Sequence, residues 1–286
     1  MWSKPSSITP NSPFQVGLCT REGQLNMVYL ETTAHNMGYG LCPNTGVWKC
    51  SDILNSTNAY NQRTSAGSAL VNDRGTLTSI YRGNNPPHVL FATTHDDATG
   101  NWIETGSQIS ITYGPSAAAY DGLVYVAFAD ASTSVVELVT WDRDTREFGK
   151  PAPFIAGANP PACTATPALT VYGSHLHLFY TDSSSGALAH WRLDDAGWVA
   201  VEDPGISTNA GVAAVQSQGL LYVLYRSPAD ISIMSKTYNG HRWSTAESTG
   251  STAAIDGPAA ALGHPASQLS CIYPAAGNVL MQMTKQ

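Results

Sequence analysis

Charge is scarce in this sequence: only 12% of its 286 residues are Asp, Glu, Lys or Arg, about half the usual share. The formal net charge is −7, which excludes nucleic acid and anionic membranes as partners, because both select basic surfaces. No run approaches the roughly 18 consecutive apolar residues of a membrane helix. The first ten residues carry one lysine and no apolar segment. No secretory signal is read there, and the expected location is the cytoplasm. The five cysteines, Cys19, Cys42, Cys50, Cys163 and Cys271, are odd in number and lack metal-ligand spacing. Cys42 and Cys50 flank an expected hairpin; they either pair across it or stay, like the others, as buried thiols. The eight histidines form no ligand pattern, although His175 and His177 face one side of a strand. Phosphate loops, nucleophile elbows and Cys/His pairs are missing as well. No cofactor or metal is implied.

Long helices are also missing, and in their place stand 25 glycines, 17 prolines and many short alternating runs such as "LTSIY", "LYVLY" and "LHLFY". Their period is two, that of half-buried strands. The runs belong to an internal repeat. From Thr166, "TPALTVYGSHLHLFYTDSSSGALAHWRLDDAGW" gives a short apolar run, a turn, an alternating run ending in an aromatic, a polar turn, another strand and a Gly turn before Trp198. The same order starts at Gln15, Gly67, Gly114 and Gly211. Two columns keep step. The aromatic closing the second strand is Tyr29, Tyr81, Phe128, Tyr180, Tyr225 and Tyr273, and the one opening the fourth is Trp48, Trp102, Phe148, Trp198 and Trp243. Steps of 45–54 residues with four strands per unit have the spacing of β-propeller blades.

The sixth unit, "GPAAALGHPASQLSCIYPAAGNVLMQMTKQ", stops after three strands without its tryptophan. The N-terminal "MWSKPSSITP" matches "RWSTAESTGS" of the fifth unit, so Trp2 and Ser3 overlie Trp243 and Ser244. A ring whose last blade takes strands from both chain ends leaves no open gap. The expectation is an all-β, single-domain, six-bladed propeller with four antiparallel strands per blade, the N-terminal strand closing the last. The blades are expected near 14–55, 65–110, 113–156, 165–205 and 210–250, with 256–286 completed by 1–10.

The turns before the tryptophans, "PNTGVW", "DDATGNW", "LDDAGW" and "YNGHRW", resemble worn Asp-boxes of sialidase-like propellers. In that motif Asp or Asn bonds its own backbone and Trp fills the blade-to-blade core. Six blades in about 300 residues, closed by a cut blade, are similar to the fungal fucose-binding lectins. Those lectins hold sugar with an Arg on the second strand and a Glu on the third. In the fourth unit the matching positions are His177 and His190, and no Arg/Glu pair recurs. Fucose specificity therefore does not carry over. Sialidase activity does not either, since the arginine triad with its tyrosine and acid is not found.

Sites in propellers gather on the face where second-to-third strand loops meet the inter-blade connections. After the second-strand aromatics come Glu31, Arg82, Asp130, Asp182 and Arg226, one per blade. They either bind ligand or simply solvate strand ends. Arg82 and Arg226, each following a Tyr, best suit hydroxyl or carboxylate ligands. Near the axis, before the innermost strands, stand Tyr113, Asn209 and Asp256, with Ser65 and Thr164 nearby. These suit acid–base work or a polar ligand, or else cap strand ends. The long segments 51–66 and 150–164 are placed on the same face as pocket walls. Trp141 and Trp191 on third strands can stack a sugar, although tryptophan at alternating blade positions is more often core; His190 joins them as a candidate.

Two functions fit. One is a lectin-like module binding a glycan or small polar ligand on this face, with homo-oligomerisation left open. The other is an enzyme, a hydrolase, lyase or cyclase with one central pocket and Tyr113, Asp256 and Asn209 as its catalytic set.

Overall fold

The computed structural model describes residues 1–286 except 33–34, 44–45, 54–61, 156–160, 252, 264–267 and 286. Six antiparallel sheets form a ring, each ordered outward from its innermost strand. Blade 1 contains Gly17–Arg21, Gln24–Leu30, Met37–Cys42 and Lys49–Asp52; blade 2 contains Ala69–Asp73, Thr76–Arg82, Val89–Asp96 and Asn101–Ser110. Blade 3 has Ser116–Tyr120, Leu123–Ala129, Val136–Asp142 and Glu147–Phe148, with Ala152–Pro153 also pairing its third strand. Blade 4 has Ala168–Tyr172, His175–Thr181, Leu188–Asp194 and Gly197–Ala200, and blade 5 has Ala213–Ser217, Leu220–Arg226, Ile233–Tyr238 and Glu247–Ser248. Among the described residues the only helix is the 3-10 turn Ala276–Asn278. No helix there is long and apolar enough to cross a membrane.

Blade 6 comprises Ala259–Leu262, Leu269–Pro274, Val279–Lys285 and, outermost, the N-terminal Ser6–Asn11. Ser6, Ser7 and Ile8 pair Gln282, Met281 and Leu280, and Trp2 bridges Lys285. Ser3 N donates to Thr284 O at 2.7 Å, and Thr284 N to Ser3 Oγ at 2.9 Å. The six-bladed ring with a shared last blade is thus the fold that the repeats imply.

The two aromatic columns explain how the blades adhere. Six apolar clusters fill the six blade-to-blade interfaces. Each holds one fourth-strand aromatic: Trp48, Trp102, Phe148, Trp198, Trp243 and Trp2. Trp2 packs among Tyr222 and Leu224 of blade 5 and Cys271, Tyr273 and Met283 of blade 6. The Lys285 ammonium lies 5.5 Å from its ring centre, within cation–π range. Trp48 donates through Nε1 to Gln282 Oε1 at 3.0 Å, tying blade 1 to blade 6. In the hairpins, Asp96 accepts from Ala98 N at 3.0 Å and Asn239 from Arg242 N at 2.9 Å, as an Asp-box turn requires. All five cysteines are free thiols, Cys42 buried and Cys50 exposed.

Trp2→Ala is expected to cost about 3–5 kcal/mol, as for other buried aromatics. Deleting residues 1–10 should do worse, since it bares the Val279–Lys285 edge to intermolecular pairing. Thermal melts and light scattering check both, and a truncated chain that melts like the full one would contradict the closure.

Candidate functional site

The six innermost strands neighbour one another in ring order, blade 6 meeting blade 1. Gln15, Gly67, Gly114, Thr166, Gly211 and Gly257 occupy equivalent positions two residues before them. Side chains do not fit between blades here. A Cβ on Gly114 would lie 2.5 Å from Gly67 O, and one on Gly257 would overlap Gly211 O, so only glycine allows the approach. Gln15 and Thr166 are the exceptions, and Gln15 carries the longer side chain. Its carboxamide Nε2 donates to Pro258 O at 2.5 Å and Val212 O at 3.3 Å, spanning from blade 1 to blades 5 and 6. Below this level a channel of about 110 Å³ runs between the inner strands.

One residue earlier, the column reads Phe14, Ala66, Tyr113, Ala165, Ala210 and Asp256, and all six members line one axial cavity of about 260 Å³. Three alanines recess the wall while Phe14, Tyr113 and Asp256 project, which makes a six-fold architecture asymmetric at its mouth. Ser65, Arg82, Thr112, Thr164, Thr166 and Asn209 complete the polar lining. The loops are tethered to it: Thr64 Oγ1 donates to Arg82 O at 2.8 Å, and Thr208 Oγ1 to Arg226 O at 2.9 Å.

Asp256 is fixed by backbone, accepting from Gln15 N at 2.9 Å and Gly257 N at 2.7 Å. Burial pushes its carboxyl above the usual range, against those two donors and nearby Arg226. Arg82 contributes a half-buried guanidinium whose Nε has no partner among the described residues, and burial pulls it below its ordinary range. Arg226 donates through Nη1 to Ile255 O at 3.2 Å, next to Asp256. Asn209 is exposed at the mouth. An acid, a cation, a phenol, a carboxamide and hydroxyls therefore share one small space. Among the described residues, no three His, Cys, Asp or Glu side chains gather to hold a metal ion.

The structure thus brings together Tyr113, Asn209, Asp256, Ser65, Thr164 and Arg82. Of the remaining candidates, Arg226 lies beside Asp256 and the others lie elsewhere. Arg82 and Arg226 end their second strands, whereas Glu31, Asp130 and Asp182 come one residue later in their repeats. They form two columns rather than one, and neighbouring residues of an extended chain face opposite ways. Asp130 and Asp182 build turns. Asp130 Oδ1 accepts from Ser132 N at 3.0 Å and Thr133 N at 2.9 Å, and Asp182 Oδ1 from Ser184 N and Ser185 N, both at 3.0 Å. Burial works against the Asp130 carboxylate, but its hydrogen bonds outweigh it and hold it below the usual range. The bond from the Ser184 hydroxyl does the same for Asp182. One oxygen of each, Oδ1, takes these loop bonds, which gives both aspartates a turn-building role. Glu31 sits half-buried over blade 1, its carboxyl pushed up by burial and by neighbouring Asp52.

Trp141 is only 1% exposed and packs against Phe148 (centroids 4.7 Å) between blades 2 and 3; it offers no face to a sugar. Trp191 is half-buried, edge-on to Phe154. His190 is buried, with its Nε2 2.8 Å from His177 Nδ1. Phe179, Tyr238 and Trp243 pack around it, so it too is closed to ligand. Of the long segments, 54–61 and 156–160 lie outside the described residues. Gln15 was not among the candidates; its signal was a large amide in a column otherwise made of Gly and Thr.

No protein-family model matches the chain, and no curated protein sequence does. Solved structures share its fold. AofleA from Arthrobotrys oligospora superposes with a TM-score of 0.74 at 11% identity, over 100% of this chain and 87% of that one. The SapL1 lectin in complex with α-methyl fucoside gives 0.72 at 16% identity, over 98% and 96%. The fucose-recognising lectin of Aleuria aurantia, a six-bladed β-propeller, gives 0.69 at 15%, over 96% and 93%. A Hadza microbial sialidase, Hz136, matches at 0.65 and 13%, this chain covering 94% of itself and 65% of the sialidase.

Burial lowers His177 to about 4 and His190 to about 3 from an ordinary 6.5. A histidine with a lowered folded pKa binds protons preferentially in the unfolded chain, so stability falls as pH drops from 6.5 towards 4. The double variant His177→Leu/His190→Leu is expected to show a smaller fall in Tm across that window, and an unchanged profile would assign the acid sensitivity elsewhere.

Proposed function

We propose that this protein is a lectin-like binding module that takes one glycan residue or small polar ligand in the axial cavity of its loop face. The observation that carries the reading is the column of six equivalent positions, one per blade, that opens into a single asymmetric polar cavity. Ring faces of Tyr113 and Phe14 suit the C–H surface of a sugar, while Asp256, Arg82 and Asn209 offer an acceptor, a cation and a two-way amide to its hydroxyls. The shared fold of fucose-binding lectins supports the class of function. The ligand is read differently from theirs, because the positions of their Arg and Glu are filled in blade 4 by the buried His177 and His190.

A second reading, catalysis, is favoured by one observation: the raised, backbone-held carboxyl of Asp256 shares the cavity with Tyr113. A carboxyl whose hold on its proton is strengthened by burial, beside a phenol, suits proton transfer to a bound ligand. The two readings differ in turnover.

Glycan-array screening followed by calorimetry tests the module. One axial site per chain is expected, and binding there is weakened about tenfold by Asn209→Ala, the usual scale for one lost hydrogen-bonding partner. Unchanged binding in Asn209→Ala, Tyr113→Ala and Arg82→Ala would remove the axial cavity from the account. Conversion of a bound glycoside that stops in Asp256→Asn would favour the enzyme.

A further inference from the structure

A second cavity, of about 500 Å³, opens on the same face but away from the axis, on blade 2. Its walls are Gln62, Arg63, Tyr81, the loop Gly83–Pro87, Val89, Phe91 and Glu104. That volume lies within the range of about 300–1,000 Å³ typical of small-molecule sites. Strand geometry separates the two cavities. Tyr81 and Arg82 are consecutive on one strand, so Arg82 lines the axial cavity and Tyr81 this cleft.

Gln62 is the feature that calls for a ligand. It is 1% exposed, and among the described residues neither its Nε2 nor its Oε1 has a hydrogen-bond partner. A buried carboxamide forgoes its bonds to water, and sealing it unpaired is among the costlier local arrangements. Nearly all buried polar groups in folded proteins are satisfied, and exceptions point to strain or function. The aromatic wall is rigid: the Tyr81 and Phe91 rings stack with centroids 5.5 Å apart at 15°. Gly83 makes room for the Phe91 ring, since a Cβ there would lie 2.6 Å from it. The Tyr81 hydroxyl donates to Glu104 Oε2, which orients that carboxylate at the cleft.

We propose that this cleft is a second binding site, for one neutral pyranose ring. Arg63 and Glu104 place one charge of each sign on its walls, so neither an anion nor a cation is favoured by net charge. The remaining polar groups are the carboxamides of Gln62, Asn84 and Asn85, each able to donate and accept and so matched to vicinal hydroxyls. Phe91 and Val89 supply the apolar surface that the C–H face of such a ring covers. On binding, the Gln62 amide turns from the wall to the ligand and gains the partners it lacks. The strand register sets this site apart from the His177 and His190 positions, whose blade 2 equivalents, Thr78 and Ala92, are not in the cleft. The inference does not depend on the axial reading.

The test uses the full chain and a panel of methyl glycosides: α-L-fucoside, α-D-mannoside, β-D-galactoside, β-D-glucoside and N-acetyl-β-D-glucosaminide. Saturation-transfer NMR and calorimetry read binding for the wild type, Gln62→Leu and Asn209→Ala. At least one glycoside is expected to bind about tenfold more weakly to Gln62→Leu while keeping its affinity for Asn209→Ala. Gln62→Leu is also expected to melt above the wild type, because it removes an unpaired amide; a glutamine with a purely structural role would melt lower. Should Gln62→Leu fail to fold, Asn84→Ala is expected to show the same selective loss. A panel in which no glycoside binds, or in which none is weakened by either cleft variant, overturns the site. Binding lost only in Asn209→Ala overturns it too, while leaving the axial cavity standing.

Discussion

Everything on the loop face depends on one strand pairing, that of the N-terminal Ser6–Asn11 with Val279–Lys285. Each blade sticks to the next through an apolar interface, and a ring of six needs six of them. Without the N-terminal strand, blade 6 would keep three strands and lose Trp2, the aromatic that each of the other five blades provides from within its own repeat. It would also bare a sheet edge. The pairing therefore holds the inner strands in the tight circle where Gly114 and Gly257 permit contacts that no side chain would.

That circle makes the site. Six near-equivalent blades would give a symmetric, shallow mouth. The chain departs from symmetry where the repeats converge: three alanines and the Phe14, Tyr113 and Asp256 side chains share one column, and Gln15 crosses where other blades carry Gly or Thr. Gln15 connects scaffold and site, since its backbone N–H fixes the Asp256 carboxylate while its side chain binds blades 5 and 6 to blade 1. The same economy closes blade 4, where His177 and His190 bond each other behind an aromatic cluster.

The fold was legible because the two aromatic columns recur for a physical reason: each fills one blade-to-blade interface, so a chain of this fold must repeat them. Tyr113, Asn209 and Asp256 were legible because positions just before the inner strands are brought to the axis by the ring itself. Asp130 and Asp182 have a turn-building role that their spacing did not show, because an aspartate followed by Ser and Thr takes their backbone N–H groups on Oδ1. Counting from the aromatic also merged two columns one residue apart, which face opposite ways on a strand. Gln62 and Gln15 left little trace, since an unpaired or bridging amide is a property of packing, not of spacing.

The most direct measurement of the closure is hydrogen exchange, followed peptide by peptide, because exchange reports which segments open together. The expected result is that amides of Ser6–Asn11 exchange as slowly as those of Val279–Lys285. Fast exchange of Ser6–Asn11, at the rate of an unpaired terminus, beside a protected Val279–Lys285 would contradict the shared sixth blade and the axial cavity built upon it.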